Sequence, residues 1–249
     1  MLDRHAAIGC MRLSTAPDRD EVAAIAVLHS ALDAGATFLD TADAYCRDEH
    51  DVGHNERLIA RALAYWPGDR RRIVVATKGG MTRPGGAWAP DGRARHLTEA
   101  CDASLRALGV DRIDLYQLHA PDPRTPLGTS VRALDALRRA GKVGAVGLCN
   151  INLRQLRAAQ EITAIDAVQI ELNPWRDHNV LSGVIDHCLR QRIRVIAHRP
   201  LGGANRQRAL EKDPVLRAVA ARHDASPQQI VLAWLADLDD RILPIPGPS

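Results

Sequence analysis

Aromatic side chains are scarce in this sequence, and lysines scarcer. Phe, Trp and Tyr make up 3% of 249 residues, and Phe38 is the one phenylalanine. Among 33 basic residues only Lys78, Lys142 and Lys212 are lysines. No apolar run approaches the roughly 20 residues that span a bilayer, and no basic-then-apolar leader opens the chain. A membrane partner and export are therefore not expected. No Cys-x-x-Cys pair occurs, and the five cysteines (Cys10, Cys46, Cys101, Cys149, Cys188) are odd in number and scattered. That excludes a disulfide framework and points to a reduced, cytoplasmic protein. A net charge of only +3, without a basic tail, gives no footprint for nucleic acid. Neither a Gly-x-Gly-x-x-Gly after a strand nor a Walker-type glycine loop is present.

What is present is a repeated alternation of short Val/Ile/Leu-rich runs with amphipathic stretches. The runs show little polar alternation, as expected of parallel strands buried on both faces. Strands are expected at Ile8–Leu13, Thr37–Asp40, Ile73–Lys78, Ile113–His119, Gly144–Cys149, Ala167–Leu172, Arg194–His198 and Ile242–Ile245. Between them, helices are expected over Asp18–Ala34, Asn55–Tyr65, Thr98–Leu108, Pro126–Ala140, Leu153–Glu161 and Asn179–Gln191, then near Pro214–His223 and Pro227–Ala236. Asp18 and Asn55 stand where helix caps belong. Eight such units in about 250 residues define an α/β protein, a (β/α)8 TIM barrel occupying residues 1–249 as one domain. A doubly wound open sheet is the runner-up, weakened by the missing glycine fingerprint.

In a barrel the C-terminal strand ends share one rim. Asp40, Lys78 and His119 end strands two, three and four, and Tyr45 follows strand two by five residues. A phenol has an ordinary pKa of about 10 and gives up its proton reluctantly. An adjacent ammonium stabilises the phenolate and lowers that value. Lys78 can supply the ammonium, Asp40 can hold it, and His119 can donate to the same reacting oxygen. The set suits protonation of a carbonyl oxygen, with hydride from a cofactor. A metal site at Cys46, His50 and His54 is the weaker reading, because that run is polar and loop-like. Tyr45, Trp88 and Trp175 fall in loops of the presumed rim and could line an apolar pocket. Cys46, beside Tyr45, is a candidate reactive thiol.

These residues lie in motifs that resemble the aldo-keto reductase family. The resemblance is carried by Phe38-Leu39-Asp40-Thr41-Ala42-Asp43-Ala44-Tyr45, Gly53-His54-Asn55-Glu56, Ala76-Thr77-Lys78-Gly79-Gly80 and Asp114-Leu115-Tyr116-Gln117-Leu118-His119. It continues through Gly147-Leu148-Cys149-Asn150, Val168-Gln169-Ile170-Glu171-Leu172-Asn173-Pro174 and Pro244-Ile245-Pro246-Gly247. The resemblance implies NADPH-dependent reduction of a small aldehyde or ketone, with NADH as the other possible cofactor. It implies catalysis by Asp40, Tyr45, Lys78 and His119, with Tyr45 as proton donor. It further implies that Asn150 and Gln169 hold the nicotinamide carboxamide, next to Cys149. His198 would stack on the nicotinamide ring, Arg199 would lie beside it, and Pro200, Leu201, Gly202 and Gly203 would follow the pyrophosphate. Cys10 and Met11 would touch the ribose.

The family commonly has Ser and Tyr where this chain has Cys149 and His198. A histidine there could change charge near neutral pH. The family also continues past Pro246-Gly247 with a loop and helix that clamp the adenosine and its 2′-phosphate. The expectation is a barrel lacking the final outer helix and the N-terminal hairpin, with apolar surface uncovered near strands one and eight and weakened cofactor binding. That surface would make the chain a monomer or a weak oligomer. The contrasting reading is a cofactor-sensing or interaction module with little turnover.

Overall fold

The computed structural model describes residues 6–176 and 178–248. Its main sheet has eight parallel strands: β1 Ala6–Gly9, β2 Ala36–Asp40, β3 Val74–Gly79, β4 Ile113–Leu118, β5 Val143–Cys149, β6 Ala167–Glu171, β7 Arg194–His198 and β8 Ile242–Pro244. They pair in that order. The two ends meet where Gly9 N donates to Pro246 O at 2.8 Å. The closure is tight. A Cβ on Gly9 would lie 3.0 Å from Ile245 O, and one on Gly247 would lie 2.9 Å from Gly9 O. Only glycines let the backbones approach so closely. The fold is a (β/α)8 barrel.

Alternation along the strands sets the site's height. Phe38, Ala76, Leu115, Ala167, Ile196 and Leu243 form one apolar cluster inside the barrel. Their neighbours Leu39, Tyr116, Val168 and Ala197 join the larger cluster between sheet and helices. Two residues along each strand from the inner cluster stand Asp40, Lys78, Gln117, Gln169 and His198. Period-two alternation turns these inward as well. A polar layer therefore lies directly above the apolar one, at the C-terminal mouth.

The helices of the outer ring are Glu21–Asp33, His54–Tyr65, Ala94–Leu108, Leu127–Arg139, Leu153–Gln160, Val184–Arg190, Ala204–Lys212, Pro214–Arg222 and Pro227–Asp237. Several differ from the sequence expectation. The first run is split: Ala6–Gly9 is strand, and Arg12–Thr15 is one helical turn. Asp20, not Asp18, caps the next helix, accepting from Val22 N and Ala23 N. The following helix starts at His54 behind Gly53, leaving Asn55 free for the interior. A positive φ at Gly183 divides the expected 179–191 helix. The loop after β3 contains a small hairpin, Met81–Thr82 with Ala89–Pro90.

Among the described residues the expected uncovered surface at strands one and eight is not found. Ile8, Ile242, Leu243 and Ile245 are buried. Leu13 from the short turn and Val231 and Leu235 from Pro227–Asp237 pack into the same cluster as Ile8 and Ile242. Beyond Pro244 the described residues carry no further helix. Among the described residues no helix is long and apolar enough to cross a membrane.

Candidate active site

Lys78 is the centre of the polar layer. Its side chain is 0% exposed. The ammonium donates to Asp40 Oδ2 at 2.7 Å, to Thr41 O at 2.8 Å and to Tyr45 Oη at 2.9 Å. Three acceptors match the three protons of an ammonium. The second oxygen of Asp40 accepts from Gln169 Nε2 at 2.7 Å. A chain of direct hydrogen bonds thus links Gln169, Asp40, Lys78 and Tyr45 across the barrel. Burial alone would depress the Lys78 pKa, but Asp40 and then Tyr45 outweigh it, and the net shift is upward. The ammonium stays charged.

Tyr45 differs from the expectation. Burial is the largest influence on its phenol and outweighs Lys78, so its pKa is raised and not lowered. The group is a firmly protonated phenol beside a permanent cation. The His119 ring lies 5.6 Å from the Tyr45 ring, edge to face, and the Trp88 ring lies 6.4 Å from Tyr45 and 6.0 Å from His119. Burial, Lys78 and His198 all depress the His119 pKa well below the ordinary value. The imidazole is neutral. Its Nδ1 is buried without a partner. A bare acceptor is cheaper to bury than an unmet N–H donor carrying a proton, which favours the Nε2–H tautomer.

The loop carrying Tyr45 is anchored from outside the barrel. Asn55 donates to Cys10 O at 2.9 Å and accepts from Thr41 Oγ1 at 2.6 Å. Thr77 donates to Glu56 Oε1 at 2.6 Å. Asp43 accepts from Ala44 N at 2.6 Å, and burial followed by the proximity of Glu56 pushes its pKa well up. Sequence reading made Asn55 a cap and gave Thr41, Glu56 and Gln117 no role. Asn55 and Glu56 open a helix, Thr41 follows β2 and Gln117 lies within β4, so no single period in the sequence groups them.

The other side of the mouth comes from β5 to β7 and the segment after β7. Asn150, at φ 57°, donates from Nδ2 to His119 O at 3.1 Å. That fixes its amide, so Oδ1 faces His198 Nε2 at 3.2 Å. His198 Nε2 must then carry the proton. Burial, then Lys78 and Arg199, lowers the His198 pKa to about 4. The expected charge change near neutral pH is therefore not found. Cys149 is fully buried, and its thiol donates to Gln117 Oε1 at 3.6 Å. Cys10 is likewise buried, with its thiol toward Ile8 O, while Met11 beside it is exposed. Arg199 is exposed, Pro200 is buried, and Leu201 packs against the outer cluster. Gly202 and Gly203 have φ of 73° and 80°. Gly203 leads into Ala204–Lys212, whose N-terminus has no side-chain cap.

Two sequence expectations land elsewhere. Trp175 lies over the Gly202 backbone, with Arg206 5.5 Å from its ring, and is not a neighbour of Tyr45. Cys46 is buried with its pKa pushed up to about 11, chiefly by burial, which makes it an unreactive thiol at neutral pH. His54 has both ring nitrogens engaged, by Ser14 Oγ and Glu21 Oε1, each at 2.8 Å. Arg83 was not singled out from sequence. It is 7% exposed and sits 3.9 Å over the Trp88 ring.

The C-terminal mouth of the barrel thus holds an acid–lysine–phenol chain and an imidazole. The Aldo/keto reductase family profile matches residues 7–249, and the chain belongs to that family. Solved structures share the fold. A glycerol dehydrogenase from Gluconobacter oxydans is 24% identical with a TM-score of 0.83, over 98% of this chain and 82% of that one. An aldo-keto reductase enzyme from a Medee basin deep-sea metagenome library is 26% identical with a TM-score of 0.77, over 98% and 80%. The holo form of an aldo-keto reductase from Bacillus halodurans is 24% identical with a TM-score of 0.76, over 98% and 82%.

Proposed function

We propose that this protein reduces a small aldehyde or ketone to an alcohol, using NADPH, with NADH as the alternative donor. The nicotinamide supplies the hydride. The supporting observation is the Asp40–Lys78–Tyr45 chain, with Lys78 2.7 Å from the carboxylate and 2.9 Å from the phenol.

The residues fit such a cofactor. The uncapped start of Ala204–Lys212, with Gly202 and Gly203 leading into it, leaves backbone N–H groups for a pyrophosphate. Asn150 and Gln169 would orient the carboxamide, beside Cys149, and the neutral His198 ring would lie against the nicotinamide. Arg199, Pro200 and Leu201 would flank the pyrophosphate; Cys10 and Met11 would border the ribose.

The chemistry of the chain's own side chains follows from their charge states. His119, neutral with Nε2 protonated, donates to the carbonyl oxygen and turns it toward Tyr45. Negative charge grows on that oxygen as the carbonyl is reduced. An alkoxide is a far stronger base than a phenolate, so it takes the proton from the Tyr45 hydroxyl despite the raised pKa. The phenolate left behind is held by the Lys78 ammonium, whose charge Asp40 secures. Lys78 therefore acts late, on the charge that forms, as preorganised electrostatic catalysis requires. Every group in the set comes from one chain and one barrel domain, so a monomer is sufficient. Five free, buried thiols accord with a reducing compartment and hence the cytoplasm.

The test is NADPH oxidation with 4-nitrobenzaldehyde by wild type and Tyr45→Phe. General acid loss is expected to lower turnover by about 10²–10⁴-fold, with cofactor affinity retained. Equal rates in the two proteins would remove Tyr45 as acid and favour a cofactor-sensing module.

A further inference from the structure

Arg83 is a buried cation with no counter-ion among the described residues. It stands at the foot of the hairpin formed by Met81–Thr82 and Ala89–Pro90. One of its five N–H donors is met, by Nη2 donating to Arg47 O at 3.0 Å. Nε and Nη1 are buried and have no partner. Such an arrangement is unfavourable in a folded chain unless something else meets the charge.

The carboxylates of the adjoining loops each have a partner of their own. Glu49 reaches the same hairpin but accepts from Gly85 N at 2.7 Å. Asp91 pairs with Arg93, and Asp51 with Arg19. Asp48 accepts from His50 N at 3.0 Å, and Asp43 from Ala44 N. The nearby loops could have supplied a partner and do not.

The guanidinium lies one indole away from the reacting groups. Its Cζ is 3.9 Å from the Trp88 ring, and that ring is the edge-on neighbour of both Tyr45 and His119. Trp88 itself is 46% exposed, on a hairpin of two-residue strands. Rotation of that one side chain would uncover the face of the guanidinium that the indole now covers.

We propose that Arg83 selects carbonyl substrates bearing a carboxylate, held about one ring's width from the carbonyl, with Trp88 as the wall that turns to admit it. A single unpaired cation matches a monoanion; a phosphate dianion would want more. The inference names the substrate class of the reductase reading above and rests on it, but binding can be measured without turnover.

The experiment compares 4-carboxybenzaldehyde with 4-nitrobenzaldehyde, which has a similar planar outline and no charge. Calorimetric binding is measured with NADP+ present, so that nothing reacts. Wild type is expected to bind the carboxylate at least about tenfold more tightly, the scale of a charged hydrogen bond. In Arg83→Met the two constants should converge, and Arg83→Lys should keep part of the preference. Raising ionic strength from about 0.05 to 0.5 M should weaken the carboxylate alone; this arm needs no variant. The melting temperature of Arg83→Met should hold or rise, because an uncompensated charge has been removed, whereas a purely structural Arg83 predicts a fall. Equal wild-type constants, or a preference surviving in Arg83→Met, would overturn the inference. Carboxylate preference without turnover of either aldehyde would instead sink the reductase reading and reduce this one to a carboxylate-binding site at Arg83.

Discussion

The two sides of the barrel mouth differ in how fully their polar groups are met. On the β2–β4 side, Lys78 has three acceptors and both Asp40 oxygens are engaged. On the β5–β7 side, the helix after Gly203 begins with no side-chain cap and Arg199 is exposed. The Asp40–Lys78–Tyr45 chain is complete within the protein, although His119 Nδ1, Gln117 Nε2 and two Arg83 nitrogens on the same side have no partner. The other side carries an exposed cation and a helix start without a side-chain cap. Preorganised charge belongs where chemistry occurs, because it needs no rearrangement as charge develops. Open donors belong where a ligand must arrive and leave.

That contrast can be broken first at its strongest point. Lys78→Met leaves the Asp40 carboxylate buried and unpaired. Removal of one partner of a buried pair costs about 3–5 kcal/mol, so urea unfolding should shift by that order and turnover should vanish. A variant as stable as wild type would show that the chain of hydrogen bonds is dispensable to the fold. On the open side the effect should be smaller and fall on affinity. Gly203 sits at φ 80°, ψ 175°, a region other residues avoid. Gly203→Ala should cost about 1–3 kcal/mol of strain and weaken NADPH binding by fluorescence titration, while the Tyr45–Lys78 contact is untouched. Unchanged affinity would place the pyrophosphate elsewhere.

His198→Tyr should change less again. A larger, less polar ring is expected to tighten cofactor binding by a few-fold, in line with about 0.5–1.5 kcal/mol for a ring contact. No change would separate residue 198 from the nicotinamide.

The smallest effect concerns pH. Both His119 and His198 have folded pKa values below the ordinary one, His198 at about 4. The unfolded chain, with histidines near about 6.5, takes up protons first as the pH falls. Their stabilising contribution is whole above about 6.5 and, for His198, is lost as the pH drops toward about 4. Melting temperature should be level from pH 8 to 6.5 and decline below. His198→Gln should flatten part of that decline; an identical profile would deny His198 its share.

The catalytic residues were legible in sequence because Asp40, Lys78 and His119 each end an apolar strand. Phe38 and Asp40, Ala76 and Lys78, Ala167 and Gln169 are apolar–polar pairs two residues apart, so the strand pattern that marks the core also marks what lies above it. The open side was less legible. The helix Ala204–Lys212 went unread because Leu210 is the one fully buried apolar side chain among its described residues, and a helix without an apolar stripe has no period to detect. The direction of the Tyr45 shift was misjudged for a different reason. Spacing shows that an ammonium is near, but not how deeply both groups are buried, and here burial is the larger influence. Arg83 was invisible for the same cause: a basic residue in a Gly- and Pro-rich loop reads as solvated until its surroundings are seen.

The account rests on Tyr45 holding its proton until the carbonyl oxygen becomes basic. The chain has three tyrosines, so 13Cζ-tyrosine labelling gives three resolvable signals. The Tyr45 resonance, assigned with Tyr45→Phe, is followed from pH 6 to 11. It should stay at the phenol position through the ordinary tyrosine value of about 10. Movement to the phenolate position below that value would contradict a protonated acid at rest and, with it, the proposed order of events.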